Sequence, residues 1–511
     1  MNPEYIKAIE TWHLREYFML FSLIIGAYLC VTVVFLDRWQ SKAMKGLYLS
    51  EGRLLGAMVG LGLVARLMNL GGNSLWFDES ITALTSKADF SHMLKSVILA
   101  DHPPLYFIIE WLWYRLWPFT IQPSEWWLRF PSVVFGTGNI PLMFLVARSF
   151  GLKKQERLMA TFIMAFAPFQ LWYSQEARMY QLLLSNILLA IYGYKTERWW
   201  LFQVGGIGSM YTQNLGGALG LVALGLVGLS ERKFKPLAVS VAIIGGAVAP
   251  WLGYGLSQQI SRVGQGFWIP DMTLGTIPYN FYVLIWAQLP EPLTLTLWPG
   301  GILTFFVVSL SFWHGRQHKS LLALATLPVI ICTVISLLFV SVFVPRMLMA
   351  ATPALYMLIA MTLTRSRRLI GTLMGVMLVM VMFNYYGFET KADSKQQANL
   401  INQYPGTIIY TANFLPLAWY LPERSARFLP VVRDDFTTRY NLNDEFFQAL
   451  GVRHTTTQLT GITGQAVIVF ALGVNTPQLY RDFFASFDVP MQRVPPHAED
   501  NKSLWLKVIT K

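Results

Sequence analysis

Pro104-Leu105-Tyr106-Phe107-Ile108-Ile109-Glu110-Trp111-Leu112-Trp113-Tyr114-Arg115-Leu116-Trp117-Pro118 is apolar enough to pass for a membrane span, and the fold turns on the expectation that it does not cross. It is short against the about 20 apolar residues that a spanning helix needs. It also carries Glu110 and Arg115 among Trp111, Trp113, Tyr114 and Trp117, and aromatics mixed with charge belong at the headgroup interface. Parity gives the same answer. Basic clusters mark cytoplasmic loops, so an even number of crossings must separate two neighbouring clusters. Between the basic stretch ending at Arg53 and the cluster at Lys153 lie three apolar runs, 53–70, 104–118 and 127–148. One must stay on the surface, and 104–118 is the run unfit to cross.

The whole chain asks for this kind of accounting. Its 511 residues are 54% hydrophobic and only 13% charged, with mean hydropathy +0.43, whereas a soluble domain carries about 25% charged residues. Such a chain is a polytopic membrane protein. The 40 Lys+Arg against 28 Asp+Glu leave a net charge of +12, but the cations stand in short clusters between apolar runs. They set topology and do not form a nucleic-acid face. Cys30 and Cys332 lie inside apolar stretches, so neither a disulfide framework nor a CxxC site is available.

Clusters at Lys153–Arg157, Lys195–Arg198, Arg232–Lys235, Arg316–Lys319 and Arg365–Arg368 all read as cytoplasmic. Spans are then expected near 17–36, 53–70, 127–148, 157–173, 179–194, two short ones between 198 and 232, 236–256, 297–313, 320–342, 347–363 and 369–386. The set is about twelve helices with both termini outside. Parity demotes 277–290 to an interfacial segment beneath the external loop 257–276. Three regions result: an N-terminal anchor and basic loop, 1–52; a transmembrane region, 53–386; and an external soluble domain, 387–511. In the last, Thr407–Thr411, Ala466–Ala471 and the alternating Ser503–Ile509 read as strands and Asp444–Leu450 as a helix, giving a small α/β unit.

Charge at a membrane face is costly and invites a functional hypothesis. Trp76-Phe77-Asp78-Glu79-Ser80 puts two carboxylates after an interfacial aromatic pair. One is a candidate general base; equally, either acid caps a helix beginning near Ser80. In Asp101-His102-Pro103-Pro104 the double proline holds an acid and a histidine at the mouth of the interfacial helix. They are candidate ligands for a divalent metal or contacts for a phosphate, although two ligands do not close a metal site. Ser174-Gln175-Glu176-Ala177-Arg178-Met179-Tyr180 is an external turn whose arginine either clamps an anion or pairs with Glu176. Arg346, between two spans, is placed to bind a lipid phosphate or to snorkel to the headgroups, and Arg129 shares that ambiguity. The basic loops place all these groups on the outer face. Acids beside cations there suit a reaction between a polar acceptor and a lipid phosphate whose tail lies in the bilayer.

These motifs resemble the C-type glycosyltransferase superfamily, GT-C, in the branch similar to protein O-mannosyltransferases and the aminoarabinose lipid A transferase. The resemblance rests on Phe77-Asp78-Glu79, His102-Pro103-Pro104-Leu105-Tyr106 and Glu176-Ala177-Arg178-Met179-Tyr180, with Leu128–Ser132 and Pro345-Arg346-Met347 in support. It covers roughly 53–386. It implies a GT-C-like membrane fold with juxtamembrane helices in a large first external loop. It also implies an enzyme that moves a monosaccharide from a polyprenyl-phosphate-linked donor, with inversion, to a glycolipid, polysaccharide or protein acceptor on the non-cytoplasmic face of a plasma or inner membrane. Asp78, with Glu79 beside it, would be the catalytic carboxylate, and Glu176 and Arg178 would complete the reaction centre. His102, Arg346 and Tyr180 would contact the donor phosphate. Asp101 and His102 would hold a divalent metal where family members use one. Gln213 stands where many relatives have histidine, a departure that weakens the case for a metal role of that turn.

Two other classes compete. A transporter or lipid flippase of envelope assembly would carry ionisable groups near mid-span, whereas here the carboxylates gather at external span ends. A non-enzymatic assembly protein would tolerate the loss of Asp78.

Overall fold

The structure, a computed structural model, describes residues 50–99, 102–119, 121–256, 269, 271–273, 275–287, 297–365, 394–402, 408–411, 414–422, 428–430, 465–472, 492–494 and 503–510. The expected spans 17–36 and 369–386, most of the loop 257–276, Asp101 and the 444–450 helix lie outside these residues. The chain divides into two compact units: Met1–Leu70, Arg129–Ser257 and Ile269–Phe388 form one, and Gly71–Leu128, Gln258–Trp268 and Glu389–Lys511 the other. The first external loop is thus grouped with the C-terminal residues.

The first unit is a helical bundle. Four of the described helices are long and apolar enough to cross a membrane, Glu125–Ser149, Phe234–Gly255, Lys319–Leu338 and Pro345–Leu363. Leu337, Leu338 and Phe339 at one helix end, and Phe305 and Phe306 on another helix, point outward and are largely exposed. A surface of that kind belongs to an integral membrane protein. The expected count of about twelve goes beyond these four helices. Packing between the helices depends on small residues: a Cβ on Gly205, in the Trp199–Thr212 helix, would meet Asn186 O at 2.5 Å and Ala190 N at 2.6 Å in the Tyr180–Lys195 helix. The two backbones therefore run against one another. Helix starts are capped from the sequence, as where Glu156 Oε2 accepts the N–H of Lys153 at 2.8 Å.

One expected span is interrupted. The run 157–173 is two helices, Lys154–Phe166 and Pro168–Ser174, which break at Ala167. Pro168 has no N–H for the carbonyl four residues back and starts a new helix, where proline is tolerated at the first position. The run 347–363 likewise begins as a 3-10 turn, Pro345–Ala351, before the Thr352–Leu363 α-helix.

In the second unit the Leu105–Tyr114 helix has 10 residues, ~15 Å of length against a hydrocarbon layer of about 30 Å. Its aromatic rings are engaged locally. Arg115 lies 3.4 Å over the Trp111 ring and donates to the carbonyls of Ser86 at 3.1 Å and Ala88 at 2.8 Å. Trp113 stacks on Trp127 at 4.2 Å. The C-terminal residues form a mixed five-stranded sheet of β1 (Ile408–Thr411), β2 (Phe428–Pro430), β3 (Gln465–Leu472), β4 (Gln492–Val494) and β5 (Ser503–Thr510). Its order is β2-β1-β3-β5-β4. β1 runs parallel to β2 and β3, and β5 antiparallel to β3 and β4. Two short helices, Ser394–Asn402 and Phe414–Tyr420, precede and interrupt the strands.

Candidate active site

In the second unit Asp78 and Glu79 stand in the first turn of the Phe77–Lys87 helix, where the dipole favours acids. The helix is polar yet buried from Glu79 to Ser86. It manages this because its hydroxyls turn back onto its own carbonyls, Ser80 to Trp76 at 3.0 Å, Thr85 to Ile81 at 2.7 Å and Ser86 to Thr82 at 2.7 Å. Glu79 Oε2 reaches back to the N–H of Trp76 at 3.5 Å, so Glu79 takes the capping role that the sequence left open between the two acids. The helix begins at Phe77, earlier than the expected Ser80.

Glu110, on the Leu105–Tyr114 helix packed against this one, is fully buried. Neither of its carboxyl oxygens meets hydrogen-bond geometry. Burial pushes this carboxyl well above the usual carboxylate range; the Tyr106 hydroxyl one turn back opposes the rise and the charge of Glu79 adds to it. Burial of this kind favours the protonated form of the acid. Sequence reasoning used Glu110 only to keep its helix out of the membrane and missed that it lies near enough to Glu79 to feel its charge. His102 is half-buried, with its ring stacked on Phe107 at 5.5 Å. Among the described residues no three His, Cys, Asp or Glu side chains gather as a metal site.

In the first unit the turn between the Pro168–Ser174 and Tyr180–Lys195 helices carries Glu176 and Arg178, both buried. Trp172 Nε1 donates to Glu176 Oε1 at 3.0 Å. The Tyr180 ring packs edge-on against Tyr173 at 4.8 Å, and the Arg346 guanidinium lies 5.9 Å over the Tyr180 ring. Thus the structure brings Arg346 to Tyr180, two residues from Arg178, although they are far apart in sequence. A guanidinium beside aromatic rings is suited to a phosphate, whose oxygens it can engage in pairs.

This turn is held from three sides. Gln175 Nε2 donates to the carbonyls of Arg66 at 3.0 Å and Met68 at 2.8 Å, and Ser132 Oγ to that of Arg178 at 3.1 Å. Arg66, fully buried, donates to Ser174 Oγ at 3.0 Å, to Gly62 O at 2.9 Å, to Ala165 O at 2.8 Å and to Met164 O at 3.2 Å. Pro168 is what leaves Met164 O without a backbone donor, and Arg66 supplies one. Gly136 lets Arg66 and Ser174 meet, since a Cβ there would overlap Ser174 Oγ. Beneath the turn runs a buried polar chain: Asn139 to Gln181 Oε1 at 2.9 Å, Gln181 to Gln170 O at 3.1 Å, Gln170 to Tyr356 at 3.2 Å, and Tyr356 to Leu284 O at 2.7 Å. Arg129 donates to Leu70 O at 2.8 Å and so fastens a helix start. Sequence reading passed over Arg66; the available signal was a cation near the end of an apolar run.

No protein-family model matches the chain, and no curated protein matches it by sequence. Solved structures do. The chain is similar to ArnT from Cupriavidus metallidurans in the apo state, with 15% identity over 88% of this chain and 97% of that one and a TM-score of 0.58. The same protein bound to undecaprenyl phosphate gives 14% identity, the same coverage and a TM-score of 0.56. At these identities the likeness is one of fold, and the chain shares the fold of ArnT.

Proposed function

We propose that the chain is an integral-membrane glycosyltransferase that moves a monosaccharide from a polyprenyl-phosphate-linked donor to an acceptor hydroxyl or amine on the non-cytoplasmic face, with inversion. The observation that carries this reading is the likeness of fold to ArnT, one structure of which holds undecaprenyl phosphate. In this reading Asp78 orients the acceptor and takes its proton, as a carboxylate at a helix start can. The acceptor atom bonds to the anomeric carbon as the bond from that carbon to the phosphate oxygen breaks. The polyprenyl phosphate leaves with the bonding pair, and Arg346, His102 and Arg178 take up its charge. Glu79 and Glu176 belong to the reaction centre in this reading, and Tyr180, beneath the Arg346 guanidinium, contacts the donor phosphate. Glycolipid, polysaccharide and protein all offer the acceptor group required.

The test uses purified wild type and Asp78→Asn in lipid, with a panel of polyprenyl-phosphate monosaccharides and membrane extract as acceptor, and follows loss of donor. Wild type is expected to consume one donor and Asp78→Asn none, with equal melting temperatures. Equal consumption by the two proteins would sink the assignment of Asp78. Repeating the assay with chelator reads whether a divalent metal on Asp101 and His102 takes part.

A further inference from the structure

The hydroxyl of Tyr420 sits between two parts of the first external loop. It accepts the backbone N–H of Leu75 at 2.8 Å and donates to Glu125 Oε1 at 2.6 Å. Lys395 joins the same two places: its ammonium lies 2.8 Å from Glu125 Oε1, and its own N–H donates to Ser74 Oγ at 3.1 Å. Gln122 Nε2 adds a bond to the carbonyl of Trp419 at 2.9 Å. Residues 74–75 and 122–125 are therefore tied together by side chains and backbone from 395–420. Leu75 is fully buried and Glu125 nearly so, which keeps water from replacing these partners. Leu75 stands directly ahead of Trp76, the cap of the helix whose first turn carries Asp78 and Glu79, and the Phe414–Tyr420 helix packs against that helix.

We propose that Tyr420 is a positioning residue: by holding Leu75 and Glu125 it fixes the start of the Phe77–Lys87 helix, so the C-terminal segment sets the aim of Asp78 and Glu79. The proposal rests on the transfer reading above. Only an atom placed to a fraction of an ångström serves as base in an in-line displacement, and a carboxylate at the frayed end of a helix is not so placed unless its approach is tied.

Tyr420→Phe removes one hydroxyl and keeps the ring. With the donor that wild type consumes, kcat is expected to fall on the order of tenfold while KM for the donor holds. Glu125→Met is expected to do the same, and the double variant to lose no more than either single one. Hydrogen exchange at the amides of 75–79 is expected to quicken in Tyr420→Phe. Turnover equal to wild type overturns the proposal. So does a loss of turnover that merely follows the melting temperature and disappears on cooling. If wild type consumes no donor, the transfer reading fails, and the exchange measurement still decides the anchor: unchanged protection overturns it and lost protection upholds it.

Discussion

Replacing Arg66 by methionine keeps much of the side-chain volume and removes every donor. Ser174 Oγ retains its bond to Gln170 O, and Gly62 O belongs to a continuous helix, so the severe losses fall on two carbonyls at the Ala167 break, Met164 O and Ala165 O. Leaving a buried acceptor unsatisfied costs about 1–3 kcal/mol, so the pair is worth roughly 2–6 kcal/mol. Removing a buried cation returns part of this, leaving a net loss of roughly 2–4 kcal/mol. Unfolding in mixed detergent and SDS micelles, followed by circular dichroism, measures the difference directly. Arg66→Lys is expected to recover only part, because one ammonium cannot span the fork of acceptors that the guanidinium reaches. A loss below about 1 kcal/mol for Arg66→Met would refute the view that Arg66 repairs the backbone broken by Pro168.

Gly136→Ala attacks the same joint from the opposite side. Its Cβ would overlap Ser174, and a destabilisation of about 1–3 kcal/mol is expected in the same unfolding assay, with the turn carrying Glu176 and Arg178 displaced. Glu110 gives a pH dependence. Its carboxyl is raised from the ordinary glutamate value of 4.5, so above that pH the unfolded chain loses a proton that the folded chain keeps. Stability contributed at this site is therefore full below 4.5 and is lost as pH rises through the elevated value. Melting temperature against pH is expected to show this decline in wild type and a flatter curve in Glu110→Gln; parallel curves would count against it.

The sequence reading located what local pattern and charge determine. Apolar runs and basic clusters marked the helices at 125–149, 199–230 and 319–338. The aromatic, charged run at 104–118 is a helix too short to span, and the runs at 407–411, 466–471 and 503–509 coincide with β1, β3 and β5. Hydropathy alone did not see the break at Ala167, because Pro168 is apolar enough to continue the run while lacking the N–H that a helix requires. The candidate site was legible as motifs and not as contacts. Glu79 and Glu110 lie 31 positions apart, and Arg66 lies 108 from Ser174. Nothing in a local pattern registers a pairing across such distances, which only the packing of helices decides.

The bond between Leu75 and Tyr420 joins residues 345 positions apart. A chain is made from its N-terminus, at about 5–20 residues per second. The loop bearing Asp78 is therefore complete tens of seconds before its anchor exists. Until residue 420 has emerged, the buried amide ahead of the acid-bearing helix has no Tyr420 to meet it. Maturation of this loop is thus a late event, and a chain cut short before Tyr420 would carry Asp78 and Glu79 with their approach left untied.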